Sequence, residues 1–505
     1  MSIEALHKLQ KNILLFIIIF LPFSSIPERF SIPGLGSNLS IYWLLVGIAL
    51  LLYEYIKYNF AIEKYWKVFF CVYIVWQLIC LAKGLVFYEY NQYLTIEQIP
   101  RLKYILEKLA LHGIVVSQLI AIKIWLFIRF SKNIILINNI VFVVAFYIYH
   151  LYHSDFKRGF RDIRKVILWL ALFMGAYSII EIAWLKGHSI IAKNLLMIIN
   201  PYIFDPVKLN GWWPPLLWDG QLRSLTTEPS FFGIISIMCL PFLWSFIFNE
   251  NFKYKYLVIL GYFAFMIAAT NARTAIIITL GELLLLMCST FIVKKLDYIK
   301  KVGLILIITG VAFSINLIEF HKVDYNMEQA LKKYTEQNVT SMTNTNARSN
   351  NARLANLVAN LNTIKDFPIM GIGTGLKDIY MDARLPEFSF SNKEVRNWSR
   401  DMHREGVLKS GYPSLNKYAD IAIQNGLVGL LLYLIPIFYI IYNLIFYRKA
   451  IFQDYNLVML MISMVGLLFT QLSNAAFVIC NGFVWGLLLC KINEFKINDK
   501  NNLSK

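Results

Sequence analysis

The sequence predicts an all-α, polytopic membrane protein. Of its 505 residues 58% are apolar and only 16% charged, the apolar ones come in runs of about twenty rather than in amphipathic stripes, and basic residues gather between the runs. A run of that length crosses roughly 30 Å of hydrocarbon as a helix, which satisfies its own backbone hydrogen bonds where no water can.

Thirteen apolar runs can be drawn, near 12–28, 38–56, 65–85, 105–130, 133–152, 165–185, 229–249, 254–271, 273–293, 300–319, 418–446, 455–472 and 474–491. The first follows Lys8 and Lys11 as a signal peptide would, but it meets Pro22 and Pro27 in place of a small-residue cleavage site and so reads as a retained span. Basic clusters mark the expected cytoplasmic ends: Lys57, Lys64 and Lys67, then Lys157 to Lys165, Lys253 and Lys255, Lys294 to Lys301, Arg448 and Lys449, and the Lys-rich tail. Parity between these clusters lets only one of the runs 105–130 and 133–152 cross. Because 105–130 carries Glu107, Lys108, His112, Lys123 and Arg129, it is expected to lie at the interface or to re-enter.

Twelve spans with both termini inside then fit every cluster. The expected organisation is a membrane domain over 1–319 with an outer loop at about 186–228, a large extracytoplasmic loop over 320–417, and C-terminal membrane helices with a cytoplasmic tail over 418–505. A loop near a hundred residues long is too long and polar for a connector. Its Asn- and Thr-rich part, 338–351, reads as partly mobile.

The net charge of +18 is scattered among short loops, so it reads as topology information rather than as a nucleic-acid surface. All six cysteines lie inside apolar runs without metal-like pairing, which indicates neither a disulfide framework nor a zinc site.

Chemistry-bearing residues concentrate at the expected outer boundary. The first loop ends in Arg223-Ser-Leu-Thr-Thr-Glu228-Pro directly before a span. A plain helix start, with Thr227 as cap and Glu228 and Pro229 in the first turn, explains Glu228 but not Arg223. Arg273, in the tight turn Asn271-Ala-Arg-Thr, runs against the positive-inside bias; the bland alternative is snorkelling to headgroups. Glu282, nine residues further along, lies near mid-membrane, where a helix-to-helix hydrogen bond is the expected partner. Trp212, Trp213 and Trp218 suit either sugar stacking or, by slight preference, an interfacial belt.

The long loop holds Arg348 and Arg353, then Gly371, Gly373 and Gly375 with no P-loop lysine, a spacing that fits plain turns better than a nucleotide site. Arg396, Arg400 and Arg404 read mostly as solvated charges. Asn416 and Lys417 precede the next span, with Asp420 one helical turn on and placed for an ordinary salt bridge to Lys417.

Taken in order, four segments resemble the O-antigen ligase/polymerase superfamily of bacterial envelopes, which includes the Wzy-type polymerases. They are 223–233, 271–274, Arg353 placed fifteen residues before the 368–375 segment, and 416–429 with its closing Gly426-x-x-Gly429. The resemblance implies a GT-C-like fold in the bacterial inner membrane, and an enzyme that joins glycans carried on undecaprenyl pyrophosphate at the outer face. It implies membrane lipid as surroundings and flippase and chain-length regulator proteins as partners, with no nucleic acid and no cofactor. On this reading Glu228, Arg273 and Arg353 are catalytic, Arg223, Arg348, Asn416 and Lys417 bind substrate, and no metal is required, since no Asp-x-Asp motif occurs.

Planar, permanently charged arginines suit a leaving pyrophosphate, and a partly desolvated carboxylate such as Glu228 suits an acceptor hydroxyl. One departure matters: Leu415 stands where ligases of the superfamily usually carry histidine, and His403 is not in register. That favours a polymerase over a ligase. A transporter or flippase would favour internal repeats, and none is seen between the halves.

Overall fold

The computed structural model describes residues 2–32, 34–87, 94–205, 220–248, 253–321 and 348–503. Among these the secondary structure is helical, with one isolated bridge between Ile32 and Gly36 and no strand. The first twelve helices are α1 (Ile3–Ile19), α2 (Leu39–Tyr58), α3 (Lys64–Phe87), α4 (Pro100–Leu111), α5 (Gln118–Asn133), α6 (Ile140–Tyr152), α7 (Phe156–Leu185), α8 (Ile190–Ile203), α9 (Pro229–Trp244), α10 (Lys255–Ala269), α11 (Arg273–Val293) and α12 (Leu296–His321). The long loop contributes α13 (Arg348–Asp366), α14 (Lys377–Asp382) and α15 (Lys393–Glu405), and the chain closes with α16 (Lys417–Phe446), α17 (Arg448–Ile451), α18 (Tyr455–Thr470) and α19 (Ile479–Leu503).

Six of the described helices, α2, α3, α7, α11, α12 and α16, are long and apolar enough to cross a membrane, and a bent pair brings the number to seven. This falls short of the twelve crossings expected. The deficit has a physical origin: α9, α10 and α18, at three of the expected spans, are apolar but 10–17 residues long, below the roughly twenty that 30 Å of hydrocarbon requires. Prolines set some of these limits, since Pro229 opens α9 and α1 stops at Ile19 ahead of Pro22.

The run 105–130 does not form one helix. It divides at 112–117 into α4 and α5, and the segment Gln118–Asn138 continues into α6 through a 45° bend. α4 and α5 pack with the second half of α3 in a small core around Leu81, Leu126, Phe130 and Leu376. The main core is formed largely by α1, α6, α7, α9, α10, α16, α18 and α19, where residues such as Trp244, Phe232, Tyr433 and Trp485 are fully covered.

The long loop folds as a compact helical cap. Its own core joins Ala352, Ala355 and Ala359 of α13 to Met381, Val395, Met402 and Tyr412, and Ile423 of α16 belongs to the same cluster. Alanines at this spacing put one flat face of α13 against its neighbours, as the helical period requires. Residues 322–347, which include most of the 338–351 stretch, and Trp212, Trp213 and Trp218 lie outside the described residues.

Candidate functional site

The site grows from two helix starts laid side by side. Pro229 opens α9 and Arg273 opens α11, and the helices approach so closely at Gly233 that a Cβ there would collide with the Ala275 side chain. The segment before α9 is stapled to the end of α10, because the Leu222 N–H donates to the Ala269 carbonyl at 2.9 Å. Glu228 and Arg273 therefore share one end of the bundle. Neither helix start has a side-chain cap, so first-turn N–H groups and the positive dipole ends face the same place. Glu228, not Thr227, is the N-cap residue of α9.

Arg353 of α13 closes the site from above. Its Nη1 donates to the Ser473 carbonyl in the turn after α18 at 2.8 Å, and its guanidinium lies within electrostatic reach of Glu394, Arg273 and Glu228. Burial pushes the Glu228 carboxyl above its ordinary value; a hydrogen bond from the Ser230 hydroxyl at 3.0 Å and the charge of Arg353 oppose that shift, and Glu394 adds to it. Burial and Arg273 lower the Arg353 value while Glu394 and Glu228 raise it; a guanidinium stays charged throughout. The result is a half-buried carboxylate within reach of Arg353, whose guanidinium also senses Arg273 at the start of α11 and Glu394 of α15.

Arg223 does not join this group. It is 1% exposed, its guanidinium lies 4.4 Å from the Phe204 ring centre, and its Nε faces the Glu181 carboxylate at 3.8 Å. The same carboxylate accepts the backbone N–H of Arg223 at 3.3 Å and of Ser224 at 2.7 Å. Glu181 thus pins the chain at Arg223 and Ser224, four to five residues before Glu228. Arg348 is the first residue of α13, and its side chain lies outside the described residues.

Asn416 caps α16, its Oδ1 accepting the Ala419 N–H at 3.0 Å. The Lys417 N–H donates to the Gln471 carbonyl at 2.8 Å. The salt bridge expected between Lys417 and Asp420 is replaced: Asp420 Oδ1 accepts from Lys377 Nζ at 2.8 Å and from the Ser414 hydroxyl at 3.0 Å. Lys377 comes from α14, 43 residues away, so no local periodicity in the sequence could have found it. Breaking a buried pair from one side strands the other charge and costs about 3–5 kcal/mol. Lys377→Met is therefore expected to lower the melting temperature of the purified protein, and Lys377→Met/Asp420→Leu to recover most of the loss. Equal melting of single variant and wild type would exclude a stabilising role for the pair.

The glycine segment serves the fold. α16 is broken at Gly426, whose φ is +71°, and the break exposes carbonyls that the 368–375 segment fills. Ile372 N–H donates to Ile423 O at 3.0 Å, Gly373 N–H to Gln424 O at 2.9 Å, Gly375 N–H to Gln424 Oε1 at 3.1 Å, and Leu427 N–H returns to Pro368 O at 2.7 Å. From the other side the Trp76 indole donates to Asn425 O at 2.9 Å. With those N–H groups spent, the segment has no phosphate cradle to offer.

The other residues singled out lie apart from the cluster. Glu282 is buried in α11 against Gly466 of α18, and neither carboxylate oxygen has a hydrogen-bond partner among the described residues, so the expected helix-to-helix bond is absent. Arg400 and Arg404 are exposed and pair with Asp401 and Glu405. His403 is half-exposed on α15, with Nε2 3.6 Å from Asp382 Oδ2.

Residues 257–434 match a family model described as O-antigen ligase. The match begins in α10 and ends in α16, so it contains Arg273, Arg353, Glu394 and the whole helical cap, while Arg223 and Glu228 precede it. No curated protein matches the chain.

Proposed function

From the place of residues 257–434 in the O-antigen ligase/polymerase superfamily, we propose that this multi-pass membrane protein is a polysaccharide polymerase. It joins glycan units carried on undecaprenyl pyrophosphate at the outer face of the bacterial cytoplasmic membrane. The observation that carries the reading is the meeting of Arg353, Arg273 and Glu228 at the uncapped starts of α9 and α11. Twelve crossings with the 320–417 cap outside remain our topology, the short apolar helices crossing where the bilayer thins around them and their non-helical ends are packed in protein.

The chemistry follows from the charges. Glu228 takes the proton of an acceptor hydroxyl, whose oxygen attacks the anomeric carbon of the donor sugar. The bond from that carbon to the pyrophosphate oxygen breaks, and the pyrophosphate leaves with the electron pair. Arg353 and Arg273 meet its developing charge, helped by the amide groups of the two helix starts. Asn416, Lys417, Arg348 and Arg223 bind substrate or shape the walls of the site, Arg223 from beneath through Glu181.

A deletion strain tests the function directly. Loss of a polymerase leaves single repeat units on the lipid carrier, whereas loss of a ligase leaves long chains accumulated there. The matched family model does not separate the two outcomes; Leu415 in place of histidine supports the polymerase.

A pH profile tests the base. Because burial raises the Glu228 value above the ordinary 4.5, the ionised form is lost as pH falls through that raised value. The rate of polymer formation by the purified protein should show an acidic limb with its midpoint above 4.5. Glu228→Gln should remove the limb and slow the reaction by about 10²–10⁴-fold. An unchanged limb in Glu228→Gln would assign the base elsewhere.

A further inference from the structure

At the end of the bundle opposite Arg353, where Lys57 and Lys64 lie, three helices bring two histidines and a buried glutamate to one point. His7 comes from the second turn of α1, Glu54 from the last turns of α2 and His150 from the end of α6. His7 Nε2 lies 2.8 Å from Glu54 Oε1, and His150 Nε2 lies 3.1 and 3.0 Å from the two Glu54 oxygens. One donor atom from each residue falls within 4.8 Å of the other two. We propose that His7, Glu54 and His150 form a binding site for a divalent transition-metal ion, zinc being the best match, which clamps α1 onto α2 and α6.

The donor chemistry is the first reason. Two imidazole nitrogens and one carboxylate oxygen are a familiar zinc set, and bonds of about 2.0–2.2 Å in a tetrahedron put neighbouring donors roughly 3.3–3.5 Å apart. The His–Glu separations of 2.8–3.1 Å need to open by a few tenths of an ångström, and the two imidazole nitrogens, which lie within 4.8 Å of each other, adjust by a turn of the exposed His7 ring.

Burial is the second reason. The Glu54 side chain is 2% exposed, and a carboxylate taken out of water needs compensating positive charge. The two imidazoles supply that charge only while protonated, whereas a divalent ion supplies it at neutral pH and gives all three donors a common partner.

The surroundings are those of a supported site. Gln10, fully buried, donates from Nε2 to Glu54 Oε2 at 2.8 Å and so fixes the carboxylate, the kind of outer contact that orients metal ligands. Its Oε1 has no hydrogen-bond partner among the described residues, and a water in the fourth metal position would give it one. The Phe60 ring packs 4.3 Å from the His150 ring and closes one side, while the His7 side chain, 40% exposed, leaves an entry from solvent.

The experiment uses the full-length protein, purified in detergent with a tag that carries no histidines, stripped with a chelator and titrated with zinc and then cobalt ions. The site predicts one zinc per chain by elemental analysis, visible absorption bands of tetrahedral cobalt, and a melting temperature that falls on stripping and returns with zinc. His7→Ala, at a position open enough to leave the core intact, should weaken zinc binding at least tenfold and abolish the melting response. His7→Gln provides a second variant of similar size with the same expectation. Substoichiometric zinc in the wild type, or wild-type affinity in both variants, overturns the site and leaves His7, Glu54 and His150 as a hydrogen-bonded cluster. Neither result bears on the polymerase reading, which rests on the other end of the bundle.

Discussion

Arg353→Ala and Arg273→Ala are each expected to abolish long-chain polymer while the protein still reaches the membrane in normal amount. The Arg353 guanidinium lies within electrostatic reach of both Glu228 and Arg273 at the two helix starts, where removing one preorganised charge partner of a leaving group costs about 10²–10³-fold in rate. Arg353 also holds the turn after α18 through its 2.8 Å bond to the Ser473 carbonyl, so a loss of activity alone does not separate chemistry from support. Arg353→Lys separates them. An ammonium keeps the charge but cannot present two parallel N–H groups to a phosphate, and we expect short residual polymer with unchanged membrane abundance. The measurement is the sugar-chain length distribution in a deletion strain carrying each variant, read beside protein abundance in the membrane. Normal chain length in both alanine variants would remove Arg353 and Arg273 from the reaction.

Gly426→Ala and Gly371→Ala should have the largest effects on folding. Both glycines have positive φ, +71° and +64°, a region that costs an alanine about 1–2 kcal/mol. A Cβ on Gly426 would collide with the Ile369 carbonyl, and one on Gly371 would press on the Ile423 carbonyl, each a backbone atom that cannot step aside. Relief means separating the 368–375 segment from the broken helix, with a further loss of about 1 kcal/mol for each of the bonds between them. We expect little folded protein after detergent extraction and a sharply lowered melting temperature. Gly310→Ala is the control, since its Cβ would meet open space in α12. Should Gly426→Ala melt with Gly310→Ala, the docking of this segment is not what holds the cap in place.

The helical class was legible in the sequence because twenty-residue apolar runs leave few alternatives in lipid. Span number was less so: hydropathy counts apolar runs, whereas the helices that form within three of them, α9, α10 and α18, are shorter than a crossing requires. Glu228 and Arg273 stood out as charges at the edges of apolar runs, and Arg353 through the family resemblance, by its spacing from the 368–375 segment. Lys377 and Glu394 did not, being ordinary charges of a polar loop until the cap folds them toward Asp420 and Arg353. Arg223 drew notice for the right oddity but is held by Glu181, 42 residues upstream on α7. His7, Glu54 and His150 were invisible for the same reason, since their meeting depends on how three separate helices pack.

The union of Trp76 with the Asn425 carbonyl spans 349 positions of chain. During biosynthesis, α3 is therefore in the bilayer long before the polypeptide that completes its surface has left the ribosome. The helical cap cannot seat until α16 has been threaded, so a nascent chain stalled before that point would carry the unpaired N–H donors of Trp76, Ile372, Gly373 and Gly375 and an unanchored cap. Quality-control proteases should find their substrate there, and truncations ending between 376 and 416 should vanish from cells faster than those that run through Gly429.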